Sequence, residues 1–294
     1  MNTGEINGKT KLLGLMGYPV EHTLSPVIHN NLAAIYGHNA VYMPFKVKEE
    51  GLEEAVKGAF ALNIRGLNAT VPHKQAVIPY LSDIDPLAKG IGAVNTLVRT
   101  ESGYKGYNTD ILGLKRQLDN EGFTVSGRDV VIVGAGGAAR AIAFLMANEG
   151  ASRIIILNRT DFKAIDLAED VNGFAGKEVA SGHLLSEAGK VLDGMKNALC
   201  IQATSVGLSP NDKDCPIEDD GFFTHFDEVV DIIYKPAETE FIKRAVKAGA
   251  KAVNGLKMLL YQGVIAYELW TGVSVSEEDC DKVYKIMLKE SADE

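Results

Sequence analysis

Residues Gly134, Ala135, Gly136, Gly137, Ala138 and Ala139 follow an apolar run at 130–133 and open an amphipathic stretch at 138–148. The pattern is G-x-G-x-x-A between a strand and a helix. Gly134 permits the tight turn, Gly136 lets the backbone approach a pyrophosphate, and the small Ala139 lets helix and strand pack closely. The free N–H groups and positive dipole end of the helix complete an anion site. In this context the spacing predicts dinucleotide binding; a glycine-rich structural turn is the blander reading.

The next strand, 153–157, ends in Asn158, Arg159 and Thr160. An NAD-type site places Asp or Glu about 20 residues after the loop, against the ribose 2′-hydroxyl. Here Arg159 stands in that zone, and a guanidinium can pair with a 2′-phosphate through two charge-assisted bonds. Thr160 adds a hydroxyl and Lys163 a charge one turn into the helix. The set favours NADP over the reading of Arg159 as a solvated strand-end charge. Asp161 pulls the other way. Its carboxylate suits a 2′-hydroxyl and repels a 2′-phosphate, which leaves NAD open.

Three segments carry polar residues that a plain core does not need. The first runs 17–26, where the hydroxyls of Thr23 and Ser25 suit a carboxylate or hydroxyls of a small substrate. The second, 68–74, holds Asn68, Thr70, His73 and Lys74 at the end of a strand, and ligands bind outside the carboxyl ends of strands in open α/β sheets. The third joins Asn95 and Thr96 with 107–110, ending in Asp110. Each has a structural alternative. Ser25 reads as a helix N-cap with Pro26 at N1, Asp110 as another N-cap, and Lys74 alone as a solvated charge. His73 reads as structural or exposed rather than as a base.

The frame that positions them is an alternation. Apolar runs at 12–16, 41–45, 64–68, 94–98, 130–133, 154–157, 199–202 and 229–233 read as strands. Amphipathic stretches at 52–62, 111–121, 138–148, 162–171 and 240–248 read as helices, and a further helix starts at 25 and runs toward Tyr36. This predicts an α/β fold of parallel sheets with helical crossovers. A boundary falls near 108–110, before a new strand–loop–helix unit. Long helices at 255–270 and 277–288 suggest a chain that returns to its first domain.

The bulk properties agree. A chain of 294 residues suggests two domains. Its 46% hydrophobic and 23% charged residues exclude disorder and fibrous structure. With 30 basic and 39 acidic residues the net charge is −9, which argues against a general nucleic-acid surface. Cys200, Cys215 and Cys280 have neither metal-ligand nor disulfide spacing, as suits a reducing cytosol. The polar stretch 1–11 does not read as a signal peptide. No uncharged apolar run reaches the roughly 18 residues of a membrane span. A cytoplasmic protein with no nucleic-acid, membrane or metal partner is expected.

Taken in order, the motifs resemble the shikimate dehydrogenase family. They are His22-Thr23-Leu24-Ser25-Pro26 with His29-Asn30, Asn68 to Lys74, Gly92-Ala93-Val94-Asn95-Thr96, Asn108-Thr109-Asp110, the glycine loop, Asn158-Arg159-Thr160, Ala203 to Gly207, and Gly255 to Leu259 leading to Gln262-Gly263. The resemblance covers nearly the whole chain, from Gly17 to about Trp270. It implies two α/β domains: a discontinuous substrate-binding domain, 1–109 plus 257–294, and a Rossmann-type NADP-binding domain, 110–256. It implies NADP-linked interconversion of 3-dehydroshikimate and shikimate, on the way to chorismate and the aromatic amino acids, by a monomer or homodimer.

By the same resemblance Lys74 and Asp110 are the catalytic pair. Thr23, Ser25, Asn68, Thr70, Asn95, Tyr234 and Gln262 line the substrate pocket. Gly134, Ala135, Gly136, Gly137, Ala138, Asn158, Arg159, Thr160, Asp161, Lys163, Thr204, Ser205, Ile232 and Gly255 touch the cofactor. A protonated lysine can deliver the proton that a reduced ketone needs and act as base in reverse. Three departures stand out. Thr23 replaces the usual serine, Gln202 replaces an asparagine, and Lys257 stands where glycine is common. Thr23 and Asp161 keep open a quinate/shikimate dehydrogenase using NAD or NADP. A non-catalytic nucleotide-sensing module would need neither Lys74 nor Asp110.

Overall fold

A strand covered on both faces must be apolar through its centre, and β1 (Lys11–Gly17) has its last five residues buried. It pairs in parallel with β2 (Ala40–Lys46) on one side and β3 (Gly66–Ala69) on the other. Helices α1 (Ser25–Ile35) and α2 (Leu52–Ala61) make the crossovers. Beyond β3 come α3 (His73–Ala76), β4 (Asp83–Ile84), α4 (Pro86–Ile91), β5 (Thr96–Arg99), β6 (Tyr104–Tyr107) and α5 (Thr109–Glu121). The sheet order is β2-β1-β3-β5-β6-β4.

This sheet corrects the expectation of purely parallel pairing, because β5 runs antiparallel to both β3 and β6. The cause is local. Only the short connection 100–103 joins β5 to β6, closed by a Thr100 N–H to Gly103 carbonyl bond of 2.8 Å. A link of that length can join only antiparallel neighbours.

The second sheet is wholly parallel. It is built from β7 (Asp129–Val133), α6 (Gly137–Asn148), β8 (Arg153–Asn158), α7 (Asp161–Ala175), β9 (Ala180–Leu184), α8 (Ala188–Val191), β10 (Ala198–Gln202), β11 (Phe226–Asp231), α9 (Glu240–Lys247) and β12 (Lys251–Asn254). Its order is β12-β11-β10-β7-β8-β9. The winding reverses between β7 and β10, and such a switch point opens a crevice at the strands' carboxyl ends. Helices α10 (Leu256–Thr271) and α11 (Glu277–Asp293) close the chain.

The computed structural model describes residues 6–293, so residues 1–5 of the polar N-terminal stretch lie outside the described residues. The chain forms two units, one reaching Leu114 and resuming at Leu259, the other Lys115–Met258. These divisions fall inside α5 and α10, whereas the sequence reading divides at the first residues of both helices. Among the described residues no helix is long and apolar enough to cross a membrane.

Each unit has its own core. In the first, Leu13, Leu15, Tyr42, Ala266 and Trp270 pack together on one face of the sheet. Gly66 is required there, since a Cβ would sit 2.2 Å from the Trp270 ring. The indole N–H reaches the Leu97 carbonyl at 3.0 Å, which satisfies the buried donor. In the second, Val131, Val133, Ile155, Leu157 and Cys200 pack against Phe222, Phe223 and Phe226.

Candidate active site

Lys74 sits in α3, the short helix just past the carboxyl end of β3, and Asp110 in the first turn of α5. Lys74 Nζ donates to Asp110 Oδ2 at 2.7 Å. The N-cap reading of Asp110 is corrected. Asn108 Oδ1 accepts from the Ile111 N–H at 3.4 Å, so the residue before the helix does the capping and the Asp110 carboxylate is left for Lys74. The side chains are 36% and 24% exposed, so the pair keeps access to solvent or ligand. Its backbone is anchored on both sides. The Lys74 carbonyl accepts from the Val94 N–H at 2.8 Å. The fully buried His73 ring holds the Val47 carbonyl at 2.7 Å through Nε2. His73 is thus structural.

Asn68 and Asn95 are buried beside this pair. Asn68 Nδ2 donates to the Asn95 carbonyl at 3.1 Å and to Thr96 Oγ1 at 3.0 Å. Asn95 Oδ1 accepts from the Thr109 N–H at 2.7 Å, which ties it to the residue before Asp110. The Tyr42 hydroxyl donates to Asn68 Oδ1 at 2.7 Å. Tyr42, Thr96 and Thr109 had no assigned role in the sequence reading. Tyr42 lies within an ordinary strand pattern, and only the sheet brings it to Asn68.

Ser25 is not a cap either. It is the first residue of α1, Leu24 occupies the cap position without a side-chain cap bond, and Pro26 follows. The turn is held instead by Thr23, whose Oγ1 accepts from the Ser25 N–H at 3.2 Å and donates to Ser25 Oγ at 3.1 Å. The two hydroxyls are therefore brought together. Thr70 is fixed by its N–H to the Met16 carbonyl, 2.9 Å. Gln262 is buried in α10 with Nε2 on the Leu259 carbonyl at 3.0 Å. All these residues belong to the first unit; Tyr234 belongs to the second.

In the second unit a cleft of about 400 Å³ opens at the switch point. Gly134, Ala135, Gly136, Asn158, Arg159, Thr204 and Ser205 line it, together with Leu185, Val206, Cys215 and Pro216. Gly134 has φ of +116°, and a Cβ there would meet the Ala203 carbonyl and Thr204 Cγ2 at 3.0 Å. Cβ atoms at Gly136 and Gly137 would meet nothing, so the loop leaves open space beside the start of α6, where a helix N-terminus suits an anion. Arg159 is exposed, and among the described residues its guanidinium has no ion pair. Asp161 turns to its own helix, accepting from the Phe162 N–H at 2.7 Å.

Of the other expected cofactor residues, Gly137, Ala138, Thr160, Asp161 and Lys163 flank this cleft without lining it. Ile232 and Gly255 meet each other. A Cβ on Gly255 would lie 2.1 Å from the Ile232 carbonyl oxygen, so only glycine fits. Leu185, Cys215 and Pro216 were missed because they come from loops with no motif.

Two departures from the family pattern find partners. Gln202 reaches the Val206 carbonyl at 3.2 Å and Asp231 Oδ1 at 3.3 Å, and its Oε1 accepts from the Thr204 N–H. Asp231 also holds Thr239 Oγ1 at 2.6 Å and the Ile233 N–H at 3.0 Å. Burial pushes its carboxyl up to about 6, against the lowering effect of those donors. Lys257 is committed to α5, with Nζ on Glu121 at 2.6 Å and on Asn120 at 2.8 Å.

Three family models match the chain. The shikimate dehydrogenase substrate binding domain covers residues 15–97, shikimate / quinate 5-dehydrogenase covers 116–204, and the shikimate 5′-dehydrogenase C-terminal domain covers 255–283. A shikimate dehydrogenase (NADP(+)) of Moorella thermoacetica is 42% identical over 281 residues, 96% of this chain and 95% of that protein. A crystal structure of a shikimate dehydrogenase in complex with NADP+ superposes with a TM-score of 0.87 at 41% identity, covering 97% of this chain and 98% of the other. The Listeria monocytogenes shikimate 5-dehydrogenase, in complex with shikimate and NAD, gives 0.90 at 32% identity, covering 97% and 99%.

Proposed function

The chain belongs to the shikimate dehydrogenase family, and from that premise we propose that it is an NADP-dependent shikimate dehydrogenase. It would interconvert 3-dehydroshikimate and shikimate on the route to chorismate. The observation that carries the reading is the Lys74–Asp110 pair at 2.7 Å, standing beside the Asn68–Asn95 amides in the unit matched by the substrate-binding model. A nucleotide sensor needs no such pair.

The second unit fits a nicotinamide dinucleotide. The Gly134–Gly136 turn and the start of α6 would hold the pyrophosphate, and Arg159 the 2′-phosphate. Bound there, the nucleotide supplies the hydride acceptor in oxidation and the hydride donor in reduction. Ile232 and Gly255 would support its far end.

The proton belongs to Lys74. In oxidation its neutral amine takes the proton of the substrate hydroxyl; in reduction the ammonium returns a proton to the oxygen that has gained charge. Asp110 accepts from Nζ and keeps it pointed. The hydroxyls of Thr23, Ser25 and Thr70 and the amides of Asn68, Asn95 and Gln262 suit a polyol carboxylate. Such a site rejects analogues that leave its polar groups unpaired. Tyr234, in the second unit, is the remaining residue that the family resemblance assigns to substrate binding.

A second reading, turnover of quinate and use of NAD, rests on Thr23 and on Asp161. The proposal carries with it a cytoplasmic enzyme, monomeric or homodimeric, and Cys200, Cys215 and Cys280, which form no disulfide, suit a reducing compartment. The test is nicotinamide absorbance with shikimate or quinate, each with NADP or NAD. Activity confined to shikimate with NADP is expected. Comparable rates with quinate or NAD move the assignment to the dual enzyme. Nucleotide binding without turnover in all four combinations overturns both.

A further inference from the structure

Two amide side chains stand beside the Lys74–Asp110 pair, and each is locked in one orientation by a backbone group that cannot change its role. The Asn95 carbonyl can only accept, so the Asn68 atom 3.1 Å from it must be Nδ2. The Thr109 N–H can only donate, so the Asn95 atom 2.7 Å from it must be Oδ1. The consequences are opposite. Asn68 Nδ2 places its second hydrogen on Thr96 Oγ1 at 3.0 Å, so Asn68 has only acceptor capacity left, on Oδ1. Asn95 Oδ1 also accepts from one of the Thr96 and Thr109 hydroxyls, 3.0 and 3.1 Å away, while the other hydroxyl hydrogen bridges the two threonines at 2.9 Å, so Asn95 has only its Nδ2 donor left.

The Asn68 oxygen is further held by Tyr42. The phenol O–H donates to it at 2.7 Å, and the whole contact is buried. Tyr42 is itself held on three sides. Asn30 on α1 accepts from the Tyr42 N–H at 2.9 Å and donates to its carbonyl at 3.2 Å. The His29 ring stacks on the Tyr42 ring with centroids 4.2 Å apart and planes 18° apart. Trp270 lies beyond, at 6.1 Å. His29 is 1% exposed and its ring also approaches the Asn68 side chain; burial holds the imidazole well below its ordinary range, so it acts here as an uncharged plate. Burial drives the Tyr42 phenol up, which keeps its proton in place as a donor. The sheet register supplies the geometry, with Leu13 opposite Tyr42 on one side of β1 and Leu15 opposite Asn68 on the other.

We propose that Tyr42 is a positioning residue for substrate specificity: it fixes Asn68 as a hydrogen-bond acceptor, while Thr109 fixes Asn95 as a donor. A ligand that fits must offer a hydroxyl hydrogen to Asn68 and an oxygen lone pair to Asn95. A vicinal polyol can do this and a plain keto acid cannot. The inference rests on the reading of Asn68 and Asn95 as substrate contacts.

The test is Tyr42→Phe, which keeps the ring and its stacking and removes only the donor. The KM for shikimate is expected to rise about tenfold, the effect of one buried hydrogen bond, with kcat changed by less than about threefold. The KM for NADP should not move. In an Asn68→Ala background the same substitution should raise KM far less, because Tyr42 acts chiefly through Asn68, its phenol also facing the Ser25 side chain. In the wild type the Asn68 side-chain amide hydrogens, identified in nitrogen-15 spectra by their loss in Asn68→Ala, should exchange slowly with solvent, and faster in Tyr42→Phe.

An unchanged KM in Tyr42→Phe, or an equal rise with and without Asn68, overturns the proposal. So does an Asn68 exchange rate that Tyr42→Phe leaves unaltered. A wild-type protein that does not turn over shikimate overturns the functional reading instead. The Asn68 exchange rate then still decides whether Tyr42 positions that amide.

Discussion

Lys74 Nζ lies 2.7 Å from Asp110 Oδ2 and joins the short helix after β3 to the first turn of α5. A helix-capping role for Asp110 is ruled out by Asn108, which already caps that end. Lys74→Ala is therefore expected to lower kcat by about 10²–10⁴-fold, the range for a lost general acid–base. Calorimetry should still show both shikimate and NADP binding. Turnover near the wild-type rate would remove Lys74 from the proton path.

Arg159 borders the cleft at the switch point of the second sheet, without a protein ion pair among the described residues. Arg159→Ala should weaken NADP binding about 10–100-fold, the effect of a charge-assisted bond, and NAD binding by less than about threefold. Equal losses with the two nucleotides would mean that Arg159 does not read the 2′-phosphate.

The glycine loop separates two kinds of glycine. At Gly134 a side chain meets both a positive φ and an oxygen 3.0 Å away. Gly134→Ala should cost about 1–3 kcal/mol of stability and weaken NADP binding. At Gly137 a Cβ meets nothing. Gly137→Ala should melt within about 2 °C of the wild type, since well under 1 kcal/mol is at stake. Thermal denaturation of the two variants side by side checks the contrast.

Asp231 is fully buried, and burial raises its carboxyl to about 6. The folded chain therefore binds this proton more readily than the unfolded chain does. The cost of the buried charge is full above pH 6 and is relieved as the pH falls through 6 toward the ordinary carboxylate value. Relative to Asp231→Asn, the wild type should gain about 2 kcal/mol between pH 7.5 and pH 4. Urea unfolding of both proteins at the two pH values measures it. A constant difference would mean that Thr239, Gln202 and Ile233 hold the carboxylate ionised down to its usual range.

The sequence carried much of this protein in local signals. The alternation of apolar runs and amphipathic stretches marks both sheets, because a strand buried on two faces has to be apolar. The strands it missed are β4, β6, β9 and β12, which are short, polar or at a sheet edge, where burial does not impose that pattern. The glycine loop was legible because strand, turn and helix are contiguous and the steric demand at Gly134 falls on one residue.

Other features are products of assembly. Whether Ser25 and Asp110 cap helices cannot be read from their types, since Leu24 and Asn108 take the cap positions and backbone geometry decides where each helix starts. The antiparallel β5–β6 pairing in the first sheet follows from a hairpin that turns β6 back on β5. Tyr42 and Asn68 are 26 positions apart in the chain and meet only because β1 separates their strands in the sheet. The sequence by itself determined the residue types of the site and the order of its elements. Tertiary structure alone decided which polar atoms face one another, because hydrogen-bond direction depends on register and on which backbone group lies opposite, and neither is written along the chain.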